Sequence, residues 1–311
     1  GYHNHIIVHV TLLPYVKASE EVKTKPTQHS VMRLREIGLT PDFILCRSET
    51  RIKKSVKEKI ALFCNVDAAH VIEGQDVNSI YEVPLLLDKQ KLGQLIFERM
   101  RFSGETDVSA LQNFIHHYQN PVHSVTIAMC GKYTELPDAY KSVLEAFSHA
   151  GVENDAHIKI KWVATGNIHS LKQCEDEFAT VNGILLLPGF GKRGSEGKIL
   201  ACQYARENKI PFLGICLGLQ CAVIEFSRNI CGLGKANSTE FDSKTPYPVI
   251  DLMESQRMVK RKGGTMRLGA YKCELKSGSQ VFREYRKKKI SERHRHRWEV
   301  NNRFRTKLEK N

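Results

Sequence analysis

Ile210-Pro211-Phe212-Leu213-Gly214-Ile215-Cys216-Leu217-Gly218-Leu219-Gln220 is the stretch whose reading decides the fold. A short apolar run ends at Gly214, a cysteine follows, and a second glycine stands two places later. Gly-x-Cys-x-Gly is the cysteine form of the strand–sharp turn–helix element that exposes a nucleophile at the end of a buried strand. The glycines permit the tight turn because neither carries a Cβ. A helix beginning at Leu217 aims free N–H groups and its positive end at the sulfur, which is expected to lower the thiol pKa.

Working outward, the surrounding chain alternates strand and helix patterns. Ser124–Cys130, His157–Val163 and Gly183–Leu187 read as strands. Asp138–His149, closed by Gly151, and Glu196–Asn208 read as helices. This order predicts an α/β fold with a parallel sheet and its chemistry at the carboxyl ends of the strands. Gly189 and Gly191 lie in a turn upstream of the cysteine strand. A glycine N–H there, paired with that of Leu217, would form an oxyanion hole for acyl chemistry at Cys216. Such a cysteine needs a base, normally histidine. His123, His149, His157, His169, His294 and His296 do not follow strands as a base would, so the base is expected outside this chain.

The first hundred residues carry the same alternation: strands at His5–Leu13, Asp42–Cys46 and Val71–Ile72, helices at Thr27–Ile37 and Val56–Phe63. Lys23-Thr24-Lys25-Pro26-Thr27-Gln28 places two lysines and two threonines at a helix start, since proline suits a first turn. Point charges, hydroxyls and free N–H groups together suit an anion. Ser103-Gly104 and Asn120-Pro121 break the pattern around one helix at Asp107–Tyr118. The expected organisation is therefore one domain over 1–100, an interdomain linker over 101–122, and a second domain over 123–311.

The 311 residues are 41% hydrophobic and 26% charged. Such a composition is ordinary for a globular chain. No apolar run approaches the roughly 18 residues of a membrane span. The nine cysteines form neither a C-x-x-C pair nor a zinc or disulfide spacing. A reduced, cytoplasmic setting and no metal ligands are therefore expected. The net charge of +13 favours an anionic partner. Nucleic acid is disfavoured, because the basic stretch Arg283–Lys310 lacks the aromatic interleaving of single-strand binders and reads as a solvated helix face. The chain opens on Gly1 and closes on a charged helix-like stretch, and is read as a fragment.

Lys23–Gln28, Ile60–Asn65, Pro137–Lys141, Gly214–Gln220, Asn237–Phe241, Gly263–Gly269 and Glu292–Asn302 together resemble the CTP synthase family, collinearly over almost the whole chain. The resemblance implies the C-terminal part of a P-loop-type amidoligase domain followed by a flavodoxin-like class I glutaminase domain. It implies phosphorylation of the UTP 4-oxygen by ATP, release of ammonia from glutamine, and displacement of phosphate to give CTP. Carried over residue by residue, Lys23, Thr24, Lys25, Pro26, Thr27, Gln28 and Lys59 resemble UTP or CTP contacts, and Gln75, Asp76 and Val77 the ATP adenine loop. Cys216 resembles the nucleophile; Gly189, Leu217, Gly218, Leu219 and Gln220 resemble the oxyanion and glutamine-binding backbone. Glu240 and Arg297 resemble the pair that grips the ammonium and carboxylate of glutamine. The resemblance also implies magnesium with ligands upstream of Gly1, a catalytic His and Glu downstream of Asn311, GTP as activator, CTP as inhibitor and a homotetramer. Two departures stand out: Leu187-Pro188-Gly189-Phe190-Gly191 replaces the usual Pro-Gly-Gly-Phe-Gly, and the loop Arg257–Lys262, part of a lid in the family, is short and basic. A catalytically incomplete relative that binds pyrimidine nucleotide, or assembles with complete subunits, is the alternative.

Overall fold

The computed structural model describes residues 5–132, 134–259 and 264–311. The chain divides into two compact units, parting between Asn120 and Pro121.

In the first unit, β1 (Val8–Leu12), β2 (Phe43–Ser48) and β3 (Val71–Gln75) form a parallel sheet with β2 in the middle. Successive β2 side chains enter opposite cores, as the strand period of two requires. Ile44 and Cys46 pack with Leu13, Val31 and Ile60; Phe43 and Leu45 pack with Ile72 and Leu92. A strand buried on both faces reads as an unbroken apolar run, which is why Phe43–Cys46 is legible in the sequence. The helices are α1 (Lys25–Glu36), α2 (Lys54–Cys64), α3 (Val83–Lys89), α4 (Leu92–Met100) and α5 (Ser109–Gln119). The α5 rings of Phe114 and Tyr118 lie 4.8 and 6.0 Å from that of Tyr81. This helix, expected within a linker, thus packs inside the first unit.

In the second unit, β4 (His123–Gly131), β5 (Ala156–Ala164), β6 (Gly183–Leu186) and β7 (Phe212–Gly214) form a parallel sheet of order β5-β4-β6-β7. Strand order reverses between β4 and β6, the kind of switch point where open α/β sheets hold ligands. The connecting helices are α6 (Lys141–Glu153), α7 (Leu171–Phe178), α8 (Ser195–Glu207) and α9 (Leu217–Asn229). Helix α6 runs through Gly151 rather than ending there, which corrects the sequence reading. A Cβ at Gly151 would lie 2.6 Å from the Ala156 carbonyl oxygen, so that glycine serves close packing of helix on strand.

Beyond α9 come β8 (Ala236–Ser238), β9 (Tyr247–Leu252), α10 (Glu254–Arg257), β10 (Arg267–Glu274), α11 (Gln280–Tyr285), β11 (Lys289–Arg295), β12 (Trp298–Val300) and α12 (Arg305–Lys310). β9 pairs with β8 in parallel and β12 in antiparallel; β10 and β11 form a separate antiparallel hairpin. The basic stretch expected as a helix face is therefore divided, its middle forming strands β11 and β12 and its two ends helical. Charges on both faces of a solvated hairpin carry no period-two apolar signal, and only tertiary pairing reveals it.

Candidate active site at the carboxyl ends of the second sheet

Cys216 stands between β7 and α9 with φ 54° and ψ -106°. Such a positive-φ conformation is rare outside glycine and stores strain. The flanking glycines make it possible. A Cβ on Gly214 would lie 2.5 Å from the Gly218 carbonyl carbon, and one on Gly218 would lie 2.4 Å from the Leu186 carbonyl oxygen. The elbow is thus pressed onto β6 at a distance no side chain allows. Ile215 donates its N–H to Leu186 O at 3.0 Å, and Gly218 donates to Ile215 O at 2.9 Å, closing the turn.

The backbone N–H groups of Leu217 and Gly189 both face the Cys216 sulfur. The two donors expected from sequence thus both lie beside the sulfur, with the altered proline position in the turn. In that turn Gly191, not Gly189, takes the left-handed conformation, at φ 75°. The expected low thiol pKa is corrected: burial pushes the Cys216 thiol up, Glu240 adds to the rise, and the two N–H donors and Lys198 offset only part. Helix N–H groups stabilise a thiolate, but here desolvation is the larger effect. The thiol meets Arg295 O at the end of β11, 3.7 Å away.

Charged groups hold the turn Pro188–Gly191 at several points. Glu240 accepts the Gly191 N–H at 2.7 Å. Lys132, just past the end of β4, donates to Phe190 O at 2.6 Å. Lys198, from α8, donates to Leu187 O. Burial raises the Glu240 pKa, while the Gly191 N–H and Lys132 pull it down. Burial also lowers the Lys132 pKa. Sequence reasoning singles out Glu240 but neither lysine, because a lysine near a strand end or within a helix carries no local signal of its direction.

Arg297, expected to grip a carboxylate, is buried, and its guanidinium donates to Gln256 Oε1 and Thr265 Oγ1, each at 2.8 Å. Gln220 donates from Nε2 to Trp298 O at 2.8 Å, tying α9 to β12. Its Oε1 is buried with no partner among the described residues. Leu219 is exposed and Gly218 buried. Of the basic loop Arg257–Lys262, Lys260, Arg261 and Lys262 lie outside the described residues, as does Gly263.

In the first unit, the segment expected to bind anions is differently disposed. Thr24 and Thr27 are buried. The Thr27 hydroxyl meets that of Thr11 at 3.0 Å and donates to Leu12 O at 3.4 Å, while Gln28 Nε2 donates to Thr24 Oγ1 at 3.1 Å. Lys23 is ion-paired with Glu21. Lys25 and Pro26, in the first turn of α1, and Lys59 on α2 are exposed. The convergence of free lysines and threonines therefore reduces to the lysines, with the hydroxyls turned inward. Gln75 ends β3; Asp76 donates its N–H to Ser48 O at 2.9 Å and pairs with Arg47 at 2.6 Å, and Val77 is half-buried. No group of three His, Cys, Asp or Glu that could hold a metal ion occurs among the described residues. Nor is any described helix long and apolar enough to cross a membrane.

A strained cysteine elbow facing two backbone N–H donors thus stands at a parallel-sheet switch point, and the family described as "Glutamine amidotransferase class-I" matches residues 135–310. Residues 1–102 match "CTP synthase N-terminus". The CTP synthases of Cytophaga hutchinsonii and Methanocaldococcus jannaschii are 50% and 51% identical over 98% and 97% of this chain. The chain spans 57% of the length of each. The glutaminase domain of Trypanosoma brucei CTPS, solved with bound acivicin, superposes with a TM-score of 0.55 at 36% identity, covering 60% of this chain and 72% of that one. The chain belongs to the CTP synthase family.

Proposed function

We propose that these residues are part of an enzyme that aminates UTP to CTP with ATP, drawing nitrogen from glutamine hydrolysed at Cys216. The observation that carries the reading is the elbow, with Cys216 at φ 54° facing the N–H groups of Gly189 and Leu217. The sulfur adds to the carboxamide carbon of glutamine, and the carbonyl electrons move onto oxygen, held by the two N–H groups. The C–N bond then breaks as the base returns the thiol's proton to the nitrogen, releasing ammonia, and water cleaves the thioester to glutamate and free thiol. Burial pushes the thiol pKa up and so disfavours the thiolate, and the attack requires a base to take the proton. Glu240 and Arg297 take the amino-acid head of glutamine, after Arg297 exchanges a neutral hydrogen-bond partner for a carboxylate.

In the first unit, Lys23, Lys25 and Lys59 take the phosphates of UTP or CTP. Thr24, Pro26, Thr27 and Gln28 shape that turn, and Gln75, Asp76 and Val77 meet the ATP adenine. Magnesium with ATP, activation by GTP, inhibition by CTP and a homotetramer rest on the family resemblance, and a cytoplasmic location on the cysteine spacing.

The test uses the complete polypeptide in which these residues occur. Cys216→Ala abolishes CTP formation from glutamine and leaves formation from free ammonia, because the sulfur acts only in releasing nitrogen. Acivicin labels Cys216 in the unaltered protein and not in the variant. Loss of both activities, with the variant folded, sinks the assignment.

A further inference from the structure

Lys198 is 1% exposed, and that burial lowers the pKa of its ammonium, with the neighbouring thiols offsetting part of the fall. Among the described residues its hydrogen bond goes to Leu187 O, and it meets no carboxylate. A buried cation without an anion is costly and is neutralised or paired in most interiors. The backbone enforces this one. A Cβ at the preceding Gly197 would fall 2.0 Å from Thr165 O and 3.0 Å from Ile168 O, so α8 lies as deep as a helix can lie. Leu187 opens the turn that delivers the Gly189 N–H to the sulfur. The ammonium also acts on the thiols of Cys221, Cys130 and Cys216. Cys130 and Cys221 are buried, whereas Cys216 is half-buried and is the one of the three that can take up charge and reagent.

We propose that Lys198 is a positioning residue for the chemistry at Cys216: its side-chain nitrogen fixes the carbonyl that opens the oxyanion turn and places a positive charge behind the nucleophile. The proposal rests on the reading of Cys216 as the nucleophile. The missing anion is supplied during reaction, first by the sulfur and then by the substrate oxygen, and a fixed charge costs no reorganisation when it appears. The other groups facing Cys216 are Glu240, which opposes the effect, and the Arg295 carbonyl on β11, with His296 next in the chain.

The experiment measures alkylation of Cys216 by iodoacetamide against pH, read by mass spectrometry of its peptide, in the complete polypeptide. Lys198→Met keeps length and removes charge. It raises the pH midpoint by roughly one unit and slows alkylation at pH 7 about tenfold. Lys172→Met, an exposed lysine on α7, leaves the midpoint in place and controls for net charge. Glutamine-dependent CTP formation falls in kcat with KM little changed, while ammonia-dependent formation holds. Where Lys198→Met does not fold, Lys198→Gln carries the same comparison. An unshifted midpoint in either folded variant overturns the proposal. That failure is distinct from failure of the nucleophile assignment, which shows instead as glutamine-dependent activity surviving Cys216→Ala.

Discussion

The elbow at Cys216 and the turn at Lys23–Gln28 are both short motifs at helix starts, yet they are built on different principles. At the elbow every element is a steric requirement of the backbone: two glycines packed at distances no Cβ permits, and a cysteine at positive φ. Charged side chains from the end of β4, from α8 and from the loop after β8 then hold the facing turn. In the first unit the motif's hydroxyls are spent on structure, joining α1 to β1 through Thr27 and Thr11, and one of its lysines is already paired. A motif that constrains the backbone announces its site directly. A motif of polar side chains mixes residues that meet a ligand with residues that meet the protein.

The contrast predicts its largest effect at Gly218. Gly218→Ala drives a methyl group into the Leu186 carbonyl, where the nearest atom is backbone and cannot step aside. A loss of about 3 kcal/mol or more in denaturant unfolding is expected, with Cys216 alkylation by acivicin abolished. A variant of normal stability and reactivity breaks the claim that the elbow is sterically determined.

A smaller effect separates the two kinds of residue in the first unit. Thr27→Val leaves the buried Thr11 hydroxyl without that partner. The cost expected is about 1–3 kcal/mol of stability. Lys25→Ala leaves stability within about 0.5 kcal/mol, as exposed substitutions do, but weakens UTP, because a charge-assisted bond to phosphate contributes about 1.5–3 kcal/mol. Chemical denaturation and UTP titration of both variants decide it. Equal effects on stability would erase the distinction between ligand-facing and protein-facing members of the motif.

The smallest effect concerns Glu240, whose burial raises its pKa. The folded state binds this proton more tightly than the unfolded chain. That stabilisation is complete below the ordinary carboxylate value and is lost as pH rises through the folded one. Glu240→Gln, neutral throughout, is therefore slightly more stable than the parent at neutral pH and matches it in acid, while glutamine binding weakens. Melting curves at several pH values check the sign; a variant less stable at neutral pH than in acid, relative to the parent, reverses the electrostatic account.

The alternating α/β order, the approximate bounds of most strands, the elbow and the Gly189 turn that faces it are legible in the sequence because periodicity, glycine placement and turn chemistry are local properties of the chain. Phe43–Cys46 and Gly183–Leu187 announce themselves as buried strands by unbroken apolar runs. Tertiary structure alone decides the balance at Cys216, where the desolvation of the surrounding fold outweighs the helix N–H groups the sequence encodes. It alone decides that Gly151 packs within a helix, that the charges and histidines of Lys289–Arg295 form a hairpin strand rather than a helix face, and that Thr27 turns inward. Lys132 and Lys198 belong to the same class: sequence specifies an ammonium on a flexible stem, and only the packing of β4 and α8 around the turn determines which carbonyl it reaches.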